Sequence, residues 1–392
     1  MKNEVLVPKG VFDTRAKHYC SQAIKANTTV YVSGQVSWDE KGRLVGLGNM
    51  VAQTRQCLEN MERTLAAGGA KMSDVVKLTV WGRDIREFGA PEIRELWRSF
   101  WGDRFPTLSL VQISNLWRPD FMISIEGIAE LGPKHVVTAT GVLDSKPSLY
   151  IEAIKTGNTI YVSAQLSHDE RGNIVGRGDF EAQMKMSLEN HRRILKAAGA
   201  SMNEMVFLHM FSKDERYMHR PSYESVWREY FGKRDVACTS IQYGNLAVPG
   251  AITSFDGLAE IGAQEIIRPP DVADSIPGQL YPQAIKVNNR VYVSGQTSWD
   301  VNKISVGQGN IEAQAKMVFE NMRRTLKAAA ATMSDVVKLG VFVKDMRLLR
   351  RGDYGKIFKE YFGEHCPAVN VVQVDNFWRS DFMLEIEAIA VV

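Results

Sequence analysis

The chain is short of several things that mark particular kinds of protein. It has four cysteines in 392 residues, and Cys20, Cys57, Cys238 and Cys366 form no CxxC pair. That spacing excludes a paired disulfide framework and a cysteine-based zinc site. Free thiols are expected, with a reducing cytoplasm as the compartment. The seven histidines contain no HxxxH and no cluster with carboxylates, so no metal site is expected. No apolar run approaches the roughly 18 residues that span a bilayer. Met1 to Gly10 lacks the apolar centre of a signal peptide, and no membrane association is expected. The net charge is only +3, and the densest basic stretch, Arg347 to Arg351, is short. Charge therefore makes no case for a nucleic-acid partner.

What the chain has is repetition. Val30-Tyr31-Val32-Ser33-Gly34-Gln35 returns as Ile160-Tyr161-Val162-Ser163-Ala164-Gln165 and as Val291-Tyr292-Val293-Ser294-Gly295-Gln296, spaced 130 and then 131 residues apart. Gln53, Gln183 and Gln314 keep the interval, as do Asn60, Asn190 and Asn321, and Gln112, Gln242 and Gln373. Solenoid units run roughly 20–50 residues and domains roughly 100–150, so the period is that of a domain. The pattern resets near Leu131-Gly132-Pro133 and Ile261-Gly262-Ala263, which gives three units: 1–131, 132–261 and 262–392.

Each unit shows one order of elements. Short strands come first (Val5 to Val7, then Val30 to Ser33 after a turn at Ala26 to Thr28). A helix starts after the cap candidate Asn49 and stops at Gly68-Gly69, with Cys57, Met61 and Leu65 four apart on one face. Then follow a strand at Val75 to Val80, a helix at Ile93 to Trp101, and strands at Ser109 to Ile113 and Met122 to Ala129. This is α+β, with helices on one face of a mixed sheet. The uncovered face must be buried elsewhere, and packing three sheets around a threefold axis would bury it. The chain is expected to act as a monomer that is itself a pseudo-trimer.

Two constellations recur in the first and third units and are altered in the second. Ser37-Trp38-Asp39 and Ser298-Trp299-Asp300 stand against Ser167-His168-Asp169. Asn115-Leu116-Trp117-Arg118-Pro119-Asp120 and Asn376-Phe377-Trp378-Arg379-Ser380-Asp381 stand against Asn245-Leu246-Ala247-Val248-Pro249-Gly250. Trp38, Trp299, Arg118 and Arg379 are candidates for a ligand cleft with aromatic walls. The competing reading is an Arg–Asp pair that stiffens a hairpin loop while Trp covers the sheet edge. The second unit alone carries His168, His209 and Cys238, but no spacing joins them into a nucleophile and base, and this unit reads as a scaffold.

These residues together resemble the Rid proteins, also called YjgF-like or endoribonuclease L-PSP-like. The carriers are Ser-Gly-Gln after a Tyr-Val strand, the helix with Gln53, Leu58, Asn60 and Leu65, Asp74-Val75-Val76-Lys77 with Asp335-Val336-Val337-Lys338, and the closing strand Glu385-Ile386-Glu387-Ala388-Ile389-Ala390. The resemblance covers nearly the whole chain three times. It implies a chorismate-mutase-like fold, a trimer with a ligand cleft at each interface, and hydrolysis of enamines and imines to a keto acid and ammonia without a cofactor. Such hydrolysis needs little beyond orientation and a proton donor or acceptor.

Carried over position by position, the resemblance gives a partial site. The Ser-Gly turn is Ser33-Gly34 and Ser294-Gly295, the aromatic hydroxyl is Tyr150 and Tyr281 with Cys20 in the first unit, and the water-positioning glutamate is Glu385, with Ser124 and Ser254 as counterparts. Glu126, Asp256 and Glu387 are expected on the opposite face of the sheet. The arginine that would hold a substrate carboxylate is missing: Leu108, Cys238 and Val369 stand at its positions. The expected catalytic residues are Glu385, Ser294 and Tyr281. The expected substrate-binding residues are Gly295, Trp299, Arg379, Ser33, Gly34, Trp38, Arg118 and Tyr150. The reading is a hydrolase or deaminase acting on a C–N bond of a small molecule. A binding module for a small anion and a ring-opening hydrolase of a flat substrate stand as alternatives. RNA cleavage lacks the basic aromatic stripe of a single-strand binder.

Overall fold

The computed structural model describes residues 3–246, 248–274 and 280–392; Ala247 of the altered loop and the first two residues of the chain lie outside them. Three sheets form, one per repeat. In the first repeat the strand order is Glu4–Leu6, Ala23–Ala26, Thr29–Gln35, Ile123–Glu130, Val75–Gly82, Thr107–Gln112. Only Val75–Gly82 and Thr107–Gln112 run parallel, joined through the helix Pro91–Trp101. The expected α+β order is therefore present. The tight hairpin before Thr29–Gln35 needs a left-handed residue, and Asn27, Gly157 and Asn288 have φ of 55°, 53° and 51°. Asn and Gly are the residues that enter this region at least cost.

The first long helix, Met50–Ala67, starts where its cap allows: Ala52 N–H donates to Asn49 Oδ1 at 2.9 Å. Its buried face carries Cys57, Leu58, Met61 and Leu65, all fully covered against the sheet. Truncating Leu58 to Ala would cost about 2–5 kcal/mol. The recurring amides hold loops. Gln53 donates to Gly46 O and Asp120 O and accepts from Met122 N–H, and Gln183 and Gln314 repeat the motif. Asn60 donates to Val36 O and Trp38 O. No helix among the described residues is long and apolar enough to cross a membrane.

Each repeat reaches the sheet edge of another. Asn115–Leu116, read from sequence as part of a hairpin loop, is a short strand added to the third repeat's edge at Val372 and Gln373. Asn245–Leu246 adds in the same way to the first repeat at Val111 and Gln112, and Asn376 bridges to Gln242 of the second. Equivalent residues of all three repeats share one core: Tyr31, Tyr161 and Tyr292, with Val76, Val206 and Val337. Trp81, Phe211 and Phe342 meet in another. This contact pattern buries the sheet faces that the helices leave open.

The closing strand Leu384–Val391 corrects one expectation. Leu384, Ile386, Ala388 and Ala390 pack beneath the helices, so Glu385 and Glu387 share the opposite, inter-repeat face. Residues two apart on a strand point the same way, so Glu387 could not oppose Glu385. Both are buried rather than facing solvent.

Candidate active site

Each of the three turns, Ser33-Gly34, Ser163-Ala164 and Ser294-Gly295, faces a strand of another repeat. Val369 N–H donates to Ser33 Oγ at 2.8 Å, Leu108 N–H to Ser163 Oγ at 2.9 Å and Cys238 N–H to Ser294 Oγ at 3.1 Å. The serines in turn donate to Ser21 O, Ile151 O and Pro282 O. Each hydroxyl is thus a clip between two repeats. The positions where the family arginine would stand contribute their backbone N–H to that clip.

The cleft between the third and second repeats brings together all three expected catalytic residues. Tyr281, Ser294, Gly295, Trp299 and Glu385 line a cavity of about 60 Å³, together with Cys238 and Ser240 from the second repeat. Glu385 is 4% exposed, and its Oε2 has no hydrogen-bond partner. A Cβ on Gly295 would run into the Glu385 carboxyl, so glycine here makes room for the acid. Burial, reinforced by the charges of Glu215 and Glu387 and opposed by His209, pushes the Glu385 carboxyl well above its usual range. Tyr281 O–H meets the Tyr223 hydroxyl.

Glu215 was not singled out in the sequence. It stands where the sibling repeats have Ile85 and Met346, and Ser240 stands where they have Leu110 and Val371. Ser240 O–H donates to Glu215 Oε2 at 2.8 Å, and Glu215 is 1% exposed with Oε1 unpartnered. Burial pushes this carboxyl up to about 8, against the pull of the Ser240 hydrogen bond. Two apolar positions have become a polar pair beside the one strand glutamate. Register alone, compared across the repeats, could have found them.

The cleft between the first and third repeats is larger, about 370 Å³, and different in chemistry. Ser33, Gly34 and Trp38 line it, with Phe12, His18, Tyr19, Trp117 and Tyr354 forming aromatic walls. Ser124 replaces the glutamate, and its hydroxyl donates to Asn370 Oδ1 at 3.1 Å. Tyr150 lies at the remaining interface, packed on the first repeat's core, with its hydroxyl pushed up to about 12 chiefly by burial.

Arg118 and Arg379 are each held within their own loop. Arg118 pairs with Asp120 at 3.1 Å, and Arg379 pairs with Asp381 at 2.8 Å while sitting over the Trp299 ring at 5.9 Å. Among the described residues, neither lines the two clefts.

Comparison with known proteins gives the family. Residues 13–131, 145–253 and 273–392 each match the family described as Endoribonuclease L-PSP. The chain belongs to that family, in three tandem copies. It is 40% identical over 113 residues to a RutC family protein of Pyrococcus abyssi, covering 28% of this chain and 84% of that protein. It is 33% identical over 131 residues to the 3-aminoacrylate deaminase RutC of Acinetobacter baylyi, covering 33% of this chain and 99% of that one. A chorismatase crystal structure is similar across 81% of this chain and 93% of its own, with a TM-score of 0.54 and 14% identity. That last likeness is one of fold alone.

Proposed function

We propose that the chain is a cofactor-independent hydrolase of C=N bonds, working in the cleft between the third and second repeats. One observation carries this reading: Glu385 lines the cavity beside the Ser294-Gly295 turn, buried and with one carboxyl oxygen that has no hydrogen-bond partner. A carboxyl held neutral by burial can give a proton to the nitrogen of an imine, or to the β-carbon of an enamine to turn it into an iminium, and take one back from attacking water. Water adds across the C=N bond, the C–N bond then breaks, and a carbonyl compound and ammonia leave. Similarity to proteins named as 3-aminoacrylate deaminase and as 2-iminobutanoate/2-iminopropanoate deaminase supports the reaction class. Tyr281 and Trp299 shape the cavity, Gly295 admits Glu385, and Ser294 positions the two strands through its clip. Three units with bounds 1–131, 132–261 and 262–392 would make the chain a monomer that supplies its own neighbours.

A second role belongs to the larger cleft. Its aromatic walls and the Ser124–Asn370 pair, with no carboxyl at the glutamate position, suit binding of a flat ligand without proton transfer. The test of the first reading is ammonia release from imines generated in situ from amino acids and from simple amines. Glu385→Ala should lower the rate by about 100-fold or more. Equal rates in the two proteins would remove Glu385 from the reaction.

A further inference from the structure

The cavity around Glu385 has an unusual charge inventory. Its described lining contains a carboxyl, hydroxyls, amides and a thiol, but no lysine, arginine or histidine. Just behind Ser240 is a second buried carboxyl, Glu215. Glu385 Oε2 and Glu215 Oε1 both lack partners although both residues are more than nine-tenths buried. Where a carboxylate-binding arginine would stand, Cys238 presents an uncharged thiol. The remaining wall includes Trp299 and Trp378, edge to face at 4.8 Å. Faces of tryptophan attract cations, as Arg379 over the Trp299 ring shows, and a carboxyl oxygen accepts from planar N–H donors. An anion entering here would meet the Glu385 carboxyl and no cation among the described lining residues, and the cation that acts on Glu385, His209, is already held by Glu387 and Asp256, so its burial would be costly.

We infer that this cavity takes a small organic cation, an iminium or amidinium that carries no carboxylate. The inference deepens the hydrolase reading and rests on its choice of cleft. For an iminium the balance is simple: water adds to the carbon, the C–N bond breaks, the carbon keeps the oxygen as a carbonyl, and nitrogen leaves as ammonium. Glu385 touches the nitrogen. Glu215 acts through Ser240 and is a positioning residue. The second repeat then lends the site Cys238 and Ser240, with Glu215 behind them, rather than serving only as a scaffold.

Calorimetric titration of the full chain with acetamidinium chloride, and separately with sodium acetate at matched ionic strength, tests this. Acetamidinium should bind, acetate should not, and Glu385→Gln and Glu215→Gln should each weaken acetamidinium at least tenfold. Thermal melts of both variants show whether the fold is kept. Cys238→Arg supplies an independent check, because it should exchange the preference toward acetate. Acetate binding at least as tight as acetamidinium, acetamidinium binding unchanged by Glu385→Gln, or no binding of either probe would each overturn the inference. The hydrolase reading is separable from this one. Glu385-dependent ammonia release from 2-imino acids without acetamidinium binding would sink the cation class alone. Acetamidinium binding without any turnover of imines would sink the hydrolase alone.

Discussion

His209 Nε2 of the second repeat lies 2.7 Å from the Glu387 carboxylate of the third. Its Nδ1 lies 3.0 Å from Asp256 Oδ1 in its own repeat. The neighbouring pairs are Lys77 with Asp256 and Lys338 with Glu126. The second repeat has Phe207 at the lysine position, and His209, two residues on, provides the third cation for three carboxylates. Gly340 is its counterpart in the third repeat, and a Cβ there would press on Glu387.

Burial works against a charged His209, but the Glu387 and Asp256 carboxylates outweigh it and raise the imidazole from 6.5 to about 10. A raised value in the folded state gives stability that is complete below pH 6.5 and lost as pH rises through about 10. His209→Asn should cost about 3–5 kcal/mol near neutrality, the usual cost of breaking a buried pair. It should also flatten the loss of stability across that window. Phe207→Lys combined with His209→Thr, which copies Lys77 and Thr79, should recover most of the loss. Urea midpoints at several pH values decide it; a His209→Asn protein as stable as the parent throughout would dismiss the third-cation role.

Arg290 makes a related point about concatenation. Its guanidinium donates to Thr159 Oγ1 at 2.7 Å and Thr29 Oγ1 at 2.8 Å, and reaches Glu130 at 3.2 Å and Glu260 at 3.4 Å. The other repeats have threonine at this position, and Val391 replaces the third glutamate. Three equivalent arginines would crowd this central point, whereas one chain can place a single fork there. Arg290→Thr should lower stability by about 3 kcal/mol or more, since two buried carboxylates lose their cation. Ammonia release per folded molecule should be unchanged. Denaturation and rate measured on the same preparation separate the two effects.

Much of this was legible because local chemistry decided it. Asn49 caps its helix, Asn288 turns its hairpin, and the spacing of Cys57, Met61 and Leu65 places one face on the sheet. Of the candidate site, only the residues of one repeat could be read as a set: Ser294 and Gly295 on one strand of the third repeat and Glu385 on another. What a neighbouring repeat adds depends on inter-repeat packing, which no local pattern encodes. At Cys238 it is the main-chain N–H that serves, as the clip to Ser294. Glu215 occupies a position that is apolar in both siblings, so register comparison marks it as unusual, while its partner Ser240 is identified only by the packing. Arg379 could be read as facing a ligand until Asp381 proved to be its bidentate partner.

The glycine in the turn offers a sharp test of the cleft. A Cβ on Gly295 would meet Glu385 atoms, and one on Gly34 would meet Asn370 and Ser124. The second repeat carries Ala164 at the same place, where Ser254 replaces the glutamate and Ser109 replaces Asn370. Gly295→Ala should therefore displace the Glu385 carboxyl and lower turnover by about tenfold or more, as misplacement of a reacting group does. Ala164→Gly should leave turnover as it was. Unaltered turnover in Gly295→Ala would mean that the reaction does not use Glu385 from this position.

Glu215 gives a pH signature independent of any ligand. Burial raises its carboxyl from 4.5 to about 8, with the Ser240 hydroxyl pulling the other way. Because the folded value is the higher one, the favourable contribution is whole below pH 4.5 and is lost as pH rises through about 8. Above that point the fold carries an ionised, half-partnered carboxylate in a dry site. Glu215→Gln keeps an acceptor for Ser240 and removes the charge, so the variant should match the parent at pH 4.5 and exceed it by about 2 kcal/mol or more at pH 8. Thermal and urea unfolding at those two pH values measure the difference. A variant less stable than the parent at pH 8 would show that the ionised carboxylate has a cationic partner, and that the cavity is not short of positive charge.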